Sequence, residues 1–202
     1  MAIFLIRHGE TASNAARIVQ TPEVPLSARG IAQAEQLGRR LAQLGVGAIV
    51  SSDLCRAVMT AERVQAFTGA AITLDTGLQE RNFGDVRGRS YADLGVDITA
   101  ADYEPPGGER WQDFHSRVDA TWDRIAAACG ATEGNLAVVT HGLVCYSLAL
   151  RRLRLPADAG PSVRWHNASV TVVEEAAPWT VRLLNCTAHL GDDGGVRGGA
   201  IA

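Results

Sequence analysis

The sequence predicts an α/β fold, with a mostly parallel central sheet flanked by helices on both faces and an antiparallel edge near the C-terminus. Two observations point there. Short apolar runs alternate with helical patterns along most of the 202 residues, and alternation of that kind builds parallel sheets because each crossover carries a helix. The last two apolar runs, residues 169–174 and 179–184, are separated by little more than Ala176-Ala177-Pro178, which suits an antiparallel pair.

In chain order, residues 2–7 form a first strand. Ser27 caps a helix reaching about Leu44, with Ile31, Ala34, Leu37, Leu41 and Leu44 on one face, and Gly45 stops it. Residues 48–51 form a second strand, Asp53 caps a helix through Phe67, and residues 72–74 form a short third strand. From Asp75 to Gly108 the pattern is mostly loop, with one short helix near Tyr91; a segment this long without clear elements is often functional. Phe114, Val118, Trp122 and Ile125 line one stripe of a helix over residues 111–129 and read as core. Residues 136–140 form a fourth strand, followed by a helix to about Leu153 and the antiparallel pair. A single domain over residues 1–190 is expected, with a flexible Gly-rich tail over 191–202.

Composition narrows the function. With 47% apolar and 20% charged residues the chain reads as a soluble globular protein. No apolar stretch approaches the roughly 20 residues of a membrane span, and the N-terminal run is too short for a signal peptide, so a cytoplasmic protein without membrane partners is expected. The net charge of −3 argues against a broad nucleic-acid surface. All 19 basic residues are arginine, which excludes a Schiff-base lysine and the lysine of a phosphate loop. Cys55, Cys129, Cys145 and Cys186 are widely spaced in apolar surroundings and read as buried hydrophobes in a reducing compartment. His115, His166 and His189 lack metal-ligand spacing, so no metal and no cofactor are expected.

The first strand ends in Arg7-His8-Gly9-Glu10-Thr11. One Arg-His pair after a strand is ordinarily a solvated loop, but the fourth strand also ends in histidine and glycine, Thr140-His141-Gly142. The second strand is followed by Ser51-Ser52-Asp53-Leu54-Cys55-Arg56-Ala57. Ligands of open α/β sheets bind beyond the carboxyl ends of strands, so these groups converge on one site. Arg7 and Arg56 can each present a planar fork to an oxyanion. His141, if protonated, adds a third cation. His8 has to stay neutral to act as a nucleophile, and nearby cations disfavour its second proton.

These segments, with Asn14, Pro25-Leu26-Ser27, Leu78, Glu80 and Gly84, resemble the histidine phosphatase superfamily in its phosphoglycerate-mutase-like branch, from Ile3 to about Leu190. The resemblance implies Arg7, His8, Arg56, Glu80 and His141 as catalytic residues, with Glu80 as general acid and then general base. It implies phosphate contact by Asn14, while Gly142 offers a backbone N–H at a helix start. The segment Arg17–Leu26 is expected to close over the substrate, with Thr21 in contact, although Gln20-Thr21-Pro22-Glu23 departs from the family's Gly- and Asp-containing version. Arg81, Arg87 and Arg89 are either receivers of a second anionic group or solvated charges. Asn167 and His189 resemble recurring structural features of the phosphatase branch.

Three functions then compete. The expected one is a metal-independent phosphomonoesterase, monomeric or homodimeric, acting on a small phosphorylated metabolite through a phosphohistidine. A cofactor-dependent phosphoglycerate mutase would carry a longer, basic insertion where this chain has only about 25 residues between Gly84 and Trp111, including Pro105-Pro106-Gly107-Gly108-Glu109. An inactive binding module would be expected to lack His8, His141 or Glu80, and all three are present.

Overall fold

A computed structural model describes residues 1–130, 132–159 and 163–191. The Gly-rich tail expected at the C-terminus lies outside the described residues from position 192 onward. The strands are β1 (Ala2–Arg7), β2 (Val46–Ser51), β3 (Ala71–Leu74), β4 (Asn135–Thr140), β5 (Val170–Glu174) and β6 (Val181–Cys186). They form one sheet in the order β3-β2-β4-β1-β5-β6. The pairs β3-β2, β2-β4 and β4-β1 are parallel, while β1-β5 and β5-β6 are antiparallel. The expected mixed sheet with its antiparallel C-terminal edge is therefore present.

Helices α1 (Ala12–Ala16), α2 (Ala28–Ala42), α3 (Cys55–Thr68), α4 (Tyr91–Leu94), α5 (Trp111–Cys129) and α6 (Gly142–Arg151) complete the fold. Alternate residues of the central strands feed two cores. Phe4, Ile6, Ala137 and Val139 pack with Leu37 and Leu41 of α2 and Ala61 and Val64 of α3. Ile3, Leu5, Leu136 and Val138 pack on the other face with Phe114, Val118, Trp122 and Ile125 of α5 and with Leu143 and Leu148 of α6. Helices thus cover both faces, as period-two alternation in a doubly covered sheet requires.

Local chemistry sets the helix ends. Ser27 Oγ accepts the Gly30 N–H at 3.0 Å and caps α2 as expected. The cap contributes about 1 kcal/mol, whereas full burial of Leu37 and Leu41 contributes about 1.5–3 kcal/mol each, so packing dominates this helix. The expected Asp53 cap of α3 is not formed. Leu54 is the N-cap, Ser52 Oγ accepts the Leu54 N–H at 3.3 Å, and the Asp53 carboxylate instead receives Gln79 Nε2 at 2.8 and 3.0 Å. The Gln79 amide competes for the carboxylate, and α3 starts without a side-chain cap. Helix α1, not expected from the sequence, has a capping box in which Thr11 Oγ1 accepts the Asn14 N–H and Asn14 Oδ1 accepts the Thr11 N–H.

Candidate active site

The parallel register brings the carboxyl ends of β1, β4 and β2 side by side. Past β1, His8 N–H donates to Thr140 O at 2.9 Å; past β2, Ser52 N–H donates to Val139 O at 2.9 Å. His8, His141 and Ser52 are therefore neighbours because three ladders end together. The His8 and His141 ring centroids lie 5.1 Å apart. The backbone after His8 runs close against the start of α2. A Cβ on Gly9 would lie 2.6 Å from Gly30 O, and one on Gly30 would lie 2.0 Å from Glu10 O. Glycine is needed at both positions for this approach. Glu10 is buried beside the α2 N-terminus, accepting Ser27 Oγ at 3.1 Å and pairing with Arg29 at 3.3 Å. Asn167 Nδ2 donates to His8 O at 3.0 Å and to Asn14 Oδ1 at 3.2 Å, bracing β1 against α1.

Two arginines and two imidazoles crowd this point, all nearly inaccessible to solvent. His8 Nδ1 lies 2.7 Å from Gly9 O. A carbonyl only accepts, so the proton sits on Nδ1 and Nε2 keeps its lone pair. Arg56 Nε donates to that Nε2 at 3.3 Å. Arg56 Nη1 reaches Thr21 O at 3.2 Å, and Arg7 Nη1 donates to Trp165 O. Burial, followed by the charges of Arg56 and Arg7, holds His8 well below the ordinary imidazole range. His141 is lowered in the same direction by burial, Arg56, His8 and Arg7. The same burial and neighbouring charges work against the third cation that a protonated His141 would supply in the unliganded site. Burial lowers Arg56 to about 10, which leaves it charged at neutral pH.

Ser52 settles the His141 tautomer. Its hydroxyl accepts the Leu54 N–H and lies 2.8 Å from His141 Nε2, and among the described residues no other acceptor is within reach of its proton. Donating that proton to Nε2 satisfies both groups and places the imidazole hydrogen on Nδ1. His141 Nδ1 is buried without a partner, as is Arg7 Nε. Arg7 Nε lies 3.6 Å from where a Cβ on Gly142 would be, so Gly142 keeps the approach to that guanidinium open. Unpaired buried donors are costly in an empty protein, and an oxyanion satisfies them.

Glu80 follows β3 and a 3-10 turn (Thr76–Leu78). Its Oε1 accepts the Arg81 N–H at 3.0 Å and its Oε2 accepts the Leu143 N–H, in the first turn of α6, at 3.3 Å. Burial raises its hold on a proton above the ordinary carboxyl range, against the opposing effect of the Arg81 N–H, Arg56, the Leu143 N–H and Arg7. It lines a cavity with Gln20, Arg56 and Tyr91.

The other candidates fall into two groups. Gly142 lies against the Arg7 guanidinium, whereas Asn14 Oδ1 is taken up by Thr11 and Asn167. Thr21 contributes its carbonyl to Arg56. The Arg81 guanidinium is committed elsewhere: it donates to Glu109 O at 3.0 Å, Ile98 O at 3.3 Å and Tyr103 O at 2.6 Å and stacks 4.1 Å from the Trp111 ring centroid. It pins the 84–110 connection to the body of the protein. His115 stacks on Trp111 and bonds Ser147, and His189 faces Arg40. Among the described residues no three His, Cys, Asp or Glu side chains are grouped as a metal site requires. Two site residues escaped the sequence reading. Tyr91 marks the expected short helix but carries no sequence signal that its side chain lines the Glu80 cavity, and Ser52, quoted in its motif, carries none that its hydroxyl faces His141.

Fold and site together define an α/β protein with a buried cluster of two arginines and two imidazoles at the carboxyl edge of its sheet. The model of the histidine phosphatase superfamily (branch 1) matches residues 3–187, and the chain belongs to that superfamily. It is 32% identical to "Probable phosphoglycerate mutase GpmB" of Salmonella newport, over 94% of this chain and 95% of that protein. Among solved structures it is similar to a mycobacterial glucosyl-3-phosphoglycerate phosphatase in complex with VO3 (28% identity, TM-score 0.79, covering 92% and 99% of the two chains). It is likewise similar to the α-ribazole phosphatase of Shigella flexneri (28% identity, TM-score 0.80, covering 93% and 97%).

Proposed function

We propose that the protein is a metal-independent phosphomonoesterase that works through a phosphohistidine on His8. The observation that carries this reading is the fixed tautomer of His8: Nδ1–H is tied to Gly9 O and the Nε2 lone pair faces Arg56. In the first step Nε2 attacks phosphorus as the ester P–O bond breaks, and protonated Glu80 gives its proton to the departing oxygen, releasing the alcohol. In the second, Glu80 carboxylate takes a proton from water as its oxygen attacks phosphorus. The P–N bond breaks, its electron pair returns to Nε2, and free phosphate leaves with Glu80 protonated again. Arg7, Arg56 and the His141 Nδ1–H balance the charge on the transferring phosphoryl oxygens.

Hydrolysis is favoured over mutase chemistry by the connection between Gly84 and Trp111. It is short, and Arg81 holds it down through the carbonyls of Ile98, Tyr103 and Glu109, which leaves little chain to shield a phosphohistidine from water. The named phosphatases among the similar structures agree with this reading. The test is product partition. Incubated with 3-phosphoglycerate and catalytic 2,3-bisphosphoglycerate, the protein should form little 2-phosphoglycerate, while small phosphomonoesters release phosphate in the presence of EDTA. Efficient interconversion of the phosphoglycerates with negligible phosphate release would make it a mutase.

A further inference from the structure

We infer that Arg87 is a specificity-determining cation, and that it selects phosphomonoesters carrying one further anionic group close to the ester oxygen. This rests on the phosphomonoesterase reading above. The cavity containing Arg56 and Glu80 adjoins an outer groove, and Pro22, Leu54 and Arg87 line both. Arg87 is the only charged side chain of the three, so whatever extends from the phosphoryl site into the groove passes it.

Its commitments set it apart from the other arginines near the site. Arg7, Arg56 and Arg81 are each fixed by hydrogen bonds. The Arg87 guanidinium makes no hydrogen bond or ion pair among the described residues, although its backbone is held by Arg87 N–H to Gly84 O at 3.2 Å and Gly88 N–H to Val19 O at 2.7 Å. Its electrostatic neighbours are Arg56, which it repels, and Glu23 on the facing segment. Two like charges across a small cavity destabilise the empty protein, and an anion between them reverses the sign of that interaction. The phosphoryl group occupies Arg56; a second anion on the leaving group meets Arg87.

The groove also limits where that anion can be. Beyond Arg87 it carries the carboxylates of Glu23, Asp53 and Glu62, the amides of Gln79 and Asn82, and the apolar side chains of Val58 and Met59. Carboxylates there repel an anion placed farther out. The favoured leaving group therefore has its carboxylate or second phosphate near the ester oxygen, and its remainder is uncharged and able to bond to amides and carboxylates, as hydroxyl groups do.

Two probes of similar size isolate the effect: 2-phosphoglycolate, with a carboxylate, and 2-hydroxyethyl phosphate, with a hydroxyl. A charge-assisted contact corresponds to about tenfold or more in selectivity. Wild type should favour 2-phosphoglycolate in kcat/KM by about that factor, and Arg87→Gln should bring the ratio near one, chiefly through KM, with Arg87→Lys recovering part of it. Equal ratios in wild type and Arg87→Gln, or no preference in wild type, would overturn the inference. If no phosphomonoester is turned over, p-nitrophenyl phosphate included, it is the hydrolase reading that fails. Selectivity is then read by calorimetric binding of the same two probes to His8→Ala, with and without Arg87→Gln. Binding indifferent to the carboxylate, or to Arg87, would overturn the inference there.

Discussion

Replacing Glu80 by glutamine separates its chemistry from its structure. Both carboxyl oxygens accept backbone N–H groups, from Arg81 at 3.0 Å and Leu143 at 3.3 Å. A glutamine amide keeps one acceptor and turns an NH2 toward the other donor, so one bond is lost, most simply the longer one to Leu143. The structural cost is about 1–3 kcal/mol, a loss that a domain of ordinary stability, about 5–15 kcal/mol, survives. The catalytic cost is larger for leaving groups that need a proton. Loss of a positioned general acid lowers rates by about 10²–10⁴, or about 3–5.5 kcal/mol of barrier at about 1.36 kcal/mol per decade. p-Nitrophenolate leaves without that proton, so Glu80→Gln should slow its release by less than about tenfold. Because burial raises the Glu80 pKa, wild-type kcat for an alkyl phosphate should fall as pH rises through that value; in the variant this limb should vanish. The assay compares kcat/KM for both substrates, with folding checked by circular dichroism. Equal losses on the two, or an unchanged alkaline limb, would refute the assignment.

Three further outcomes are expected. Ser52→Ala should shift His141 from the Nδ1–H toward the Nε2–H tautomer, read by ¹⁵N NMR of the imidazole, and lower kcat more than it raises KM, with Ser52→Thr restoring both; an unchanged tautomer would remove Ser52 from its positioning role. Arg81→Met leaves the carbonyls of Ile98, Tyr103 and Glu109, the first of them buried, without their donor and should cost about 3 kcal/mol in urea unfolding; a loss below about 1 kcal/mol would place the guanidinium elsewhere. His8 and His141 are both held below the ordinary imidazole value, so below about pH 6.5 the unfolded chain binds more protons than the native one. Their contribution is complete above that pH and is lost as pH falls toward the native values, at about 1.4 kcal/mol per pH unit for each ring. His141→Gln should reduce that slope by one ring's share, and an unchanged slope between about pH 6.5 and 5 would contradict the burial argument.

Much of this was readable from residues alone, for identifiable reasons. The α5 stripe of Phe114, Val118, Trp122 and Ile125 is buried as its spacing demanded, because a long amphipathic helix has one way to hide that face. Convergence of His8, His141 and Arg56 follows from three strands ending at one sheet edge, which alternation of strands and helices already implied. Features decided by competition between nearby polar groups were not readable. Asp53 and Ser52 are both competent caps, and only the fold brings Gln79 to one and His141 to the other. Arg81 carries a charge that sequence reads as surface or substrate contact; the carbonyls that bury it come from positions 98, 103 and 109, far along a loop. Helix α1 has five residues, too few for any periodic signal.

Trapping the covalent intermediate addresses the central claim most directly. Wild-type protein mixed with a phosphorylated substrate and quenched in base should carry an acid-labile, base-stable phosphoryl group that peptide mapping places on His8, bonded to Nε2. His8→Ala should fold, carry no label and release almost no phosphate. A label on another residue, or phosphate release by His8→Ala at the wild-type rate, would show that the reaction does not pass through this imidazole.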